Sequence, residues 1–272
     1  MPMPEKVSIV GAGPGPADLL TVRAIHALRS AHVVLHDDLV SPDVLALCPR
    51  STQVINVGKR CGKMGHSQQQ INELMIEHAR RGKSVVRLKS GDPAVFGRLG
   101  EELDALREAD VAFDIIPGVT AAIAAAAAAE LTLTDRRSSS ALLILSAHHA
   151  AQNTQLTALA DPERTTLAVY MPGPDYAHTA NALMQTGIEA GTPCLVVSNA
   201  CRPDQQVRAL ALGDLALVRD IPAPAVLIVG RVAQPPVHDA QDASLPARES
   251  VAGTIPTIEH PDQPSFPFSH PC

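Results

Sequence analysis

Residues 7–16 have the sequence VSIVGAGPGP, in which a short apolar run leads directly into a turn rich in glycine and proline. The apolar run predicts a buried strand, and the turn ends it. A helical pattern follows over about residues 17–30, with Leu20, Ala24 and Leu28 on one side. This strand, turn and helix predict the first unit of an α/β fold with a mostly parallel sheet.

The same alternation continues as far as Pro117-Gly118. It predicts strands over residues 32–35, 84–88 and 113–116, and helices over residues 67–81 and 100–109. Ser67, followed three residues later by Gln70, predicts a capping box at the start of the first of these helices. We therefore expect an N-terminal α/β domain over residues 5–117.

A second cycle follows, with more strand per helix, so we expect a mixed sheet in a C-terminal α/β domain over residues 118–233. The predicted strands cover residues 141–145, 166–170, 194–197 and 225–229, with helices at 121–129 and 176–185 and a further strand or hairpin at 207–215. Residues 234–272 are rich in proline and lack a hydrophobic period. They are predicted to form a disordered tail without chemistry of its own.

Composition argues against several classes of protein. The chain of 272 residues has 2% aromatic residues, no tryptophan and a net charge of −6, which argues against a nucleic-acid partner that needs stacking rings or a basic stripe. No apolar run has the length of a membrane helix, and there is no signal-peptide pattern. The five cysteines are scattered without a C-x-x-C pair, so we expect reduced thiols in a cytoplasmic protein and no metal site.

The first candidate site is the turn over residues 11–16, where glycines let backbone approach a ligand closely. It partly matches the dinucleotide fingerprint G-x-G-x-x-G, and Asp37 ends the second strand, where a ribose-binding acid would stand. The third glycine of that fingerprint falls on Pro16. An ordinary strand-to-helix turn therefore remains an alternative.

The second candidate is the block RLKSGDPAVFGR over residues 87–98. The backbone of Ser90 and Gly91 and the carboxylate of Asp92 follow a strand end and suit a polar cofactor such as a nucleoside with an amino-acid tail. An Asx turn with Asp92 as a helix cap is the alternative. A third candidate, the cationic loop around Lys59 and Arg60, has solvated surface charge as its alternative.

Together and in this order, the turns resemble the tetrapyrrole methylases from about residue 7 to residue 232. The resemblance rests on the blocks VSIVGAGPG, VVLHDDLV, VGKRCGK, VRLKSGDPAVFGRLGEEL, PGVTAA, LTLTDRR, VYMPG and PAVLIVGRV. The D-x-L-V, G-K-R and G-D-P-x-x-F-G-R blocks at these spacings are typical of the branch that methylates uroporphyrinogen III. The resemblance implies two α/β domains with S-adenosylmethionine in the cleft between them, and a homodimer.

For activity, the resemblance implies methylation of uroporphyrinogen III at carbons 2 and 7 to give precorrin-2, through precorrin-1, for siroheme or cobalamin. It assigns Asp37 as proton acceptor and Lys59 as proton donor. Matched by motif, the implied cofactor contacts are Pro14, Ser90, Gly91, Asp92, Val95, Thr120, Ala121, Met171 and Ala200. The substrate carries eight carboxylates, and we expect Arg60, Arg98 and Arg136 to bind them because arginine forks match carboxylates.

The chain departs from the family pattern at several positions. Ser90 and Ala200 stand where glycine is usual, and Asp135 stands where the family has histidine. The resemblance ends near residue 232, so no fused dehydrogenase or ferrochelatase segment is expected. Alternatives are another precorrin or diphthine methylase, a flavin or nicotinamide oxidoreductase that uses the first turn, and a tetrapyrrole-binding protein without catalysis.

Overall fold

A computed structural model describes residues 5–58, 66–147, 161–173 and 175–234. The described residues belong to one compact unit of the chain. Lys59, Arg60 and the predicted tail from residue 235 onward lie outside the described ranges. No described helix is long and apolar enough to cross a membrane.

The N-terminal sheet has five strands in the order β3-β2-β4-β1-β5, and each neighbouring pair is parallel. Its strands are β1 (Val7–Gly11), β2 (Val33–His36), β3 (Gln53–Asn56), β4 (Val85–Lys89) and β5 (Phe113–Ile116). The three central strands are almost entirely buried because helices cover both faces of the sheet. The predicted parallel sheet is confirmed, although β3 was missed because its sequence, QVIN, is short and mostly polar.

Four helices belong to this half: α1 (Val22–Ser30), α2 (Pro42–Leu45), α3 (Gln68–Arg80) and α4 (Leu99–Glu108). The capping box at the start of α3 is confirmed, since Ser67 and Gln70 exchange both hydrogen bonds. The continuous helix predicted over residues 17–30 is wrong at its start. Residues 17–19 form a 3₁₀ turn, and α1 begins only after extended Thr21, whose hydroxyl accepts from the Ala24 amide.

The C-terminal sheet also has five strands, in the order β6-β7-β10-β8-β9. Its strands are β6 (Ala141–Ser146), β7 (Thr165–Tyr170), β8 (Pro193–Ser198), β9 (Gln206–Ala211) and β10 (Ala225–Val229). Only β6 and β7 pair in parallel, so the predicted mixed sheet is confirmed. The strand or hairpin predicted over residues 207–215 is only half correct, since residues 212–217 form a 3₁₀ helix with Leu212 and Leu215 buried.

Aliphatic side chains fill both faces of each sheet. Helix α5 (Ala121–Ala128) packs with β7, β8 and β10 on one face of the C-terminal sheet, and α6 (Tyr176–Gln185) packs on the other. The small side chains of α5 let its backbone approach the sheet closely. This places the start of α5 beside the end of β7, where several predicted site residues lie. The domain boundary at residues 117/118 stays a prediction.

Candidate functional site

The loops that follow β1, β4 and β5 meet at one edge of the N-terminal sheet. Gly13 and Gly91 exchange backbone hydrogen bonds of 3.1 and 2.9 Å. A Cβ added at Gly11 would lie 2.6 Å from the Gly118 nitrogen. Because no side chain fits between these backbones, the glycines are needed for the close approach of the three loops.

Asp92 joins two of these loops. Its Oδ1 accepts a hydrogen bond from the Ala94 amide at 2.8 Å, and its Oδ2 accepts from the Gly118 amide at 3.0 Å. The Asx turn considered from sequence is therefore present. Asp92 is not a helix cap, since α4 begins after Arg98. The direct cofactor contact of Asp92 stays a prediction; its hydrogen bonds hold the turn after β4 against the turn after β5.

Tyr170 organises the start of α5 from the neighbouring strand. Its hydroxyl accepts a hydrogen bond from the Ala122 amide at 2.8 Å and lies 2.6 Å from the Thr120 Oγ1 atom. Burial raises the pKa of Tyr170, so the phenol stays neutral at physiological pH. The Phe96 ring lies against it, with ring centroids 5.2 Å apart. The Thr120-Ala121 segment is thus tied to β7 and to the loop after β4.

Two apolar side chains are exposed at this place. Phe96 is 43% exposed and Met171 is 44% exposed, and both have positive φ, of 53° and 51°. Large side chains rarely adopt this backbone conformation, and such residues are concentrated at ligand sites. Val95, Ala121 and Ala200 pack in the cluster that contains Tyr170. The structure therefore brings predicted cofactor contacts from both halves of the chain to one place.

Arg202 links the two halves directly and was not identified from sequence. Its Nε atom donates to the Pro14 carbonyl at 3.0 Å, and its Nη2 atom donates to the Leu39 carbonyl at 2.9 Å. A Cβ added at Gly15 would lie 2.7 Å from this guanidinium. No motif in the sequence marks this arginine, because its partners are backbone carbonyls more than 160 residues away.

Asp37 lies beside the turn after β4. Its Oδ2 atom is 3.4 Å from the Ser90 amide, and its Oδ1 atom accepts from the Arg87 guanidinium. The Ser90 hydroxyl is buried and has no hydrogen-bond partner among the described residues. Since a buried polar group without a partner costs free energy, this hydroxyl fits a polar ligand at the turn. The Asp37 carboxylate thus lies beside the backbone of the residue that carries this hydroxyl.

Arg98 and Arg136, which are predicted to bind substrate carboxylates, lie in different parts of the chain: Arg98 precedes α4, and Arg136 lies in the turn before β6. Arg98 has positive φ and forms a two-point ion pair with Glu101, at 2.7 and 2.6 Å. Arg136 lies exposed in the turn between Asp135 and Ser139. The Arg137 guanidinium and amide hold the pKa of the Asp135 carboxyl well below its usual value.

Within the described ranges, the Arg136 backbone carbonyl accepts a hydrogen bond from the Arg164 guanidinium at 3.4 Å. The same ranges contain no group of three or more His, Cys, Asp or Glu side chains that could hold a metal ion.

Residues 6–216 match the family Tetrapyrrole (Corrin/Porphyrin) Methylases. The chain is 42% identical over 247 residues to a uroporphyrinogen-III C-methyltransferase of Paracoccus denitrificans, covering 89% of this chain and 84% of that protein. It is 43% identical to siroheme synthase 1 of Cronobacter sakazakii, covering 84% of this chain and 49% of that protein. The chain therefore spans about half the length of the siroheme synthases that it matches.

The chain is also similar to solved structures of methyltransferases of this family. A uroporphyrin-III C-methyltransferase of Thermus thermophilus, complexed with S-adenosylhomocysteine, has 36% identity and a TM-score of 0.72, covering 84% of this chain and 98% of that one. A cobalt precorrin-4 methyltransferase has 30% identity and a TM-score of 0.72, covering 85% and 96%. Diphthine synthase, at 20% identity and a TM-score of 0.55, shares the fold alone. The family match over most of the chain and these relatives show that this protein belongs to the tetrapyrrole methylase family.

Proposed function

We propose that this chain is an S-adenosylmethionine-dependent methyltransferase that converts uroporphyrinogen III into precorrin-2 by methylating carbons 2 and 7. The Paracoccus relative, which is named uroporphyrinogen-III C-methyltransferase, is matched over 84% of its length. The Thermus structure that contains S-adenosylhomocysteine is matched over 98% of its length. The product would enter siroheme or cobalamin synthesis.

The loops around Gly13, Gly91 and Gly118 would hold the methyl donor, which supplies an electrophilic methyl group on a sulfonium when bound. We assign cofactor contacts to Pro14, Ser90, Gly91, Asp92, Val95, Thr120, Ala121, Met171 and Ala200. The exposed side chains of Phe96 and Met171 offer apolar surface, and the unpaired Ser90 hydroxyl offers a donor and an acceptor. Their role is to orient the two reactants and to exclude water, because methyl transfer is an in-line displacement.

One observation carries the proposal furthest: the Asp37 carboxylate lies 3.4 Å from the Ser90 amide of the proposed cofactor turn. Carbon methylation forms a C–C bond, breaks the S–CH₃ bond and leaves a neutral thioether, after which the tetrapyrrole must lose a proton. We propose that Asp37 accepts that proton as general base. Lys59 is the proposed proton donor, and Arg60, Arg98 and Arg136 are proposed to bind substrate carboxylates.

Incubation with uroporphyrinogen III and methyl-labelled S-adenosylmethionine tests this function. The expected product carries two labelled methyl groups by mass. Binding of the tetrapyrrole without transfer would indicate a non-catalytic binding protein, and transfer only to a later precorrin would indicate another methylase of the family. Flavin absorbance in the purified protein would favour the oxidoreductase alternative.

Asp37→Asn tests the role of the carboxylate. This variant keeps the shape of the side chain but is not a base, so turnover should fall by about 100-fold or more. Affinity for S-adenosylhomocysteine, measured by calorimetry, should stay nearly constant. A folded variant with wild-type turnover would contradict the general-base role, and loss of cofactor affinity together with rate would favour a ribose contact.

We also propose that the enzyme is a cytoplasmic homodimer without a nucleic-acid or membrane partner. The family resemblance supports the dimer. The net charge of −6 and the thiols of Cys48, Cys194 and Cys201, which form no disulfide among the described residues, support the rest. Light scattering of the purified chain should give twice the 28.6-kDa mass of one copy. A mass equal to one copy at micromolar concentration would contradict the dimer.

A further inference from the structure

A network of buried charges lies beneath Asp37. It contains Arg87 and Lys89, which are two residues apart on β4, and Glu102 on α4. The side chains of Arg87, Lys89 and Glu102 are 3%, 3% and 0% exposed, whereas that of Asp37 is 32% exposed. Asp37 is therefore the member of this network that meets solvent at the proposed site.

Glu102 is the centre of the network. Its Oε1 atom accepts from the Arg87 Nε atom at 2.9 Å, and both of its oxygens accept from the Lys89 ammonium at 2.8 Å. The Gln68 amide adds a fourth contact at 3.3 Å. A carboxylate with this many donors is fixed in orientation, and through it the ends of β4, α3 and α4 are joined.

Arg87 connects Glu102 to Asp37 by hydrogen bonds to both carboxylates. Its Nη1 atom donates to the carbonyls of Leu35 and Leu88 at 3.3 and 3.2 Å, its Nε atom donates to Glu102, and its Nη2 atom donates to Asp37. Each nitrogen of the rigid guanidinium is thus bonded, so its direction is fixed. Burial by itself lowers the pKa of Arg87, but the two carboxylates raise it overall, so the group stays charged.

A structural role alone explains this arrangement poorly. Buried ion pairs contribute little net stability, since desolvation offsets the attraction, and apolar residues of similar volume often serve as well. The network here also ends on a half-exposed carboxylate whose second oxygen faces the Ser90 amide. The rate of a catalysed step falls steeply when the catalytic group is displaced from its productive position.

We propose that Glu102 is a positioning residue that, through Arg87, fixes the Asp37 carboxylate in the orientation needed for proton removal from the methylated tetrapyrrole. This inference rests on the proposed function of Asp37. It assigns no contact with substrate or cofactor to Glu102 itself.

The test is steady-state methylation of uroporphyrinogen III by Glu102→Gln, with Glu108→Gln as the matched control at the exposed end of the same helix. We expect kcat of Glu102→Gln to fall by about 10- to 100-fold, the range for a misplaced catalytic group, with KM for the tetrapyrrole little changed. Its affinity for S-adenosylhomocysteine should stay within about threefold of wild type, because no cofactor contact is lost. The control should resemble wild type.

A double-mutant cycle with Asp37→Asn separates positioning from a general loss of structure. If Glu102 acts through Asp37, the double variant should be no slower than Asp37→Asn alone. If the factors by which the two substitutions lower kcat multiply in the double variant, the inference is overturned. A Glu102→Gln enzyme as fast as its control would overturn it as well. Asp37→Asn with wild-type turnover would overturn the proposed role of Asp37 and this inference together, whereas a slow Asp37→Asn beside a fast Glu102→Gln overturns the inference alone.

Replacing Glu102 alone leaves Lys89 as an uncompensated buried charge and can prevent folding. The pair Lys89→Met with Glu102→Gln removes one charge of each sign and keeps the ion pair between Arg87 and Asp37. If the single variant does not fold, the same kcat, KM and affinity measurements are made on this pair. A folded pair with wild-type kcat would overturn the inference.

Discussion

Gly118→Ala is the substitution for which the structure gives the clearest magnitude. The added Cβ would overlap the Gly91 carbonyl oxygen and would lie 2.9 Å from the Gly11 Cα atom. Both neighbours are backbone, and the Gly91 loop is held by its paired hydrogen bonds with Gly13. One of the loops must therefore move, which also lengthens the bond from the Gly118 amide to Asp92. Overpacking and a weakened buried hydrogen bond together should lower the free energy of unfolding by about 2–4 kcal/mol.

Gly100→Ala is the matched control for this prediction. Gly100 lies within α4, and a Cβ added there meets no atom within 4 Å. Alanine is a better helix former than glycine, so this variant should be stabilised by about 0.5–1 kcal/mol. Urea unfolding followed by circular dichroism gives both free energies, and calorimetry with S-adenosylhomocysteine shows whether Gly118→Ala also loses affinity. A Gly118→Ala protein as stable as wild type with unchanged affinity would refute the role of the close loop approach.

The remaining predictions concern contacts around the same loops. Asp92→Ala should weaken S-adenosylhomocysteine binding by about 1–3 kcal/mol in calorimetry, since it frees the turn after β4; unchanged affinity in a folded variant would contradict this. Tyr170→Phe leaves the buried amide of Ala122 without its acceptor and should cost about 1–3 kcal/mol of unfolding free energy in urea, and a variant as stable as wild type would show that the amide finds another partner. Arg202→Met keeps apolar length but loses both carbonyl contacts, so hydrogen exchange of the Ala12, Gly13 and Gly15 amides should accelerate about tenfold or more; an unchanged rate would mean that the contact is not needed. Burial raises the pKa of Cys194 to about 12, so this thiol should resist alkylation at pH 8 in the native protein and react only on unfolding; rapid native labelling would contradict its burial.

Local pattern predicted the elements well where a strand or helix is strongly apolar and bounded by a turn. The helix over residues 176–185 and the strand over residues 225–229 agree with the structure at both ends. The errors fall where short-range packing decides the backbone. Thr21 stays extended because its hydroxyl caps α1, and residues 212–217 curl into a 3₁₀ helix because Leu212 and Leu215 enter the core together.

The candidate site was predictable in outline because the carboxyl ends of parallel strands share one edge of a sheet. Turn residues such as Ser90-Gly91-Asp92 therefore indicate a ligand site from sequence position alone. The sequence also indicated Asp37 and the glycines, since strand ends and turns are local features. The sequence did not show that both carboxylate oxygens of Asp92 accept hydrogen bonds from backbone amides, because one of the donors, Gly118, is 26 residues away.

The alternation of strand and helix, the glycine turns and the charged residues at strand ends were predictable from local sequence, because each depends on neighbours a few residues apart. Tertiary packing makes Arg87 the buried partner of both Asp37 and Glu102, and it brings Arg202 across to the Pro14 loop. In sequence each is an isolated charged residue with solvent as its default surrounding. Chain segments far apart must pack together before such a charge finds its partner and loses its water.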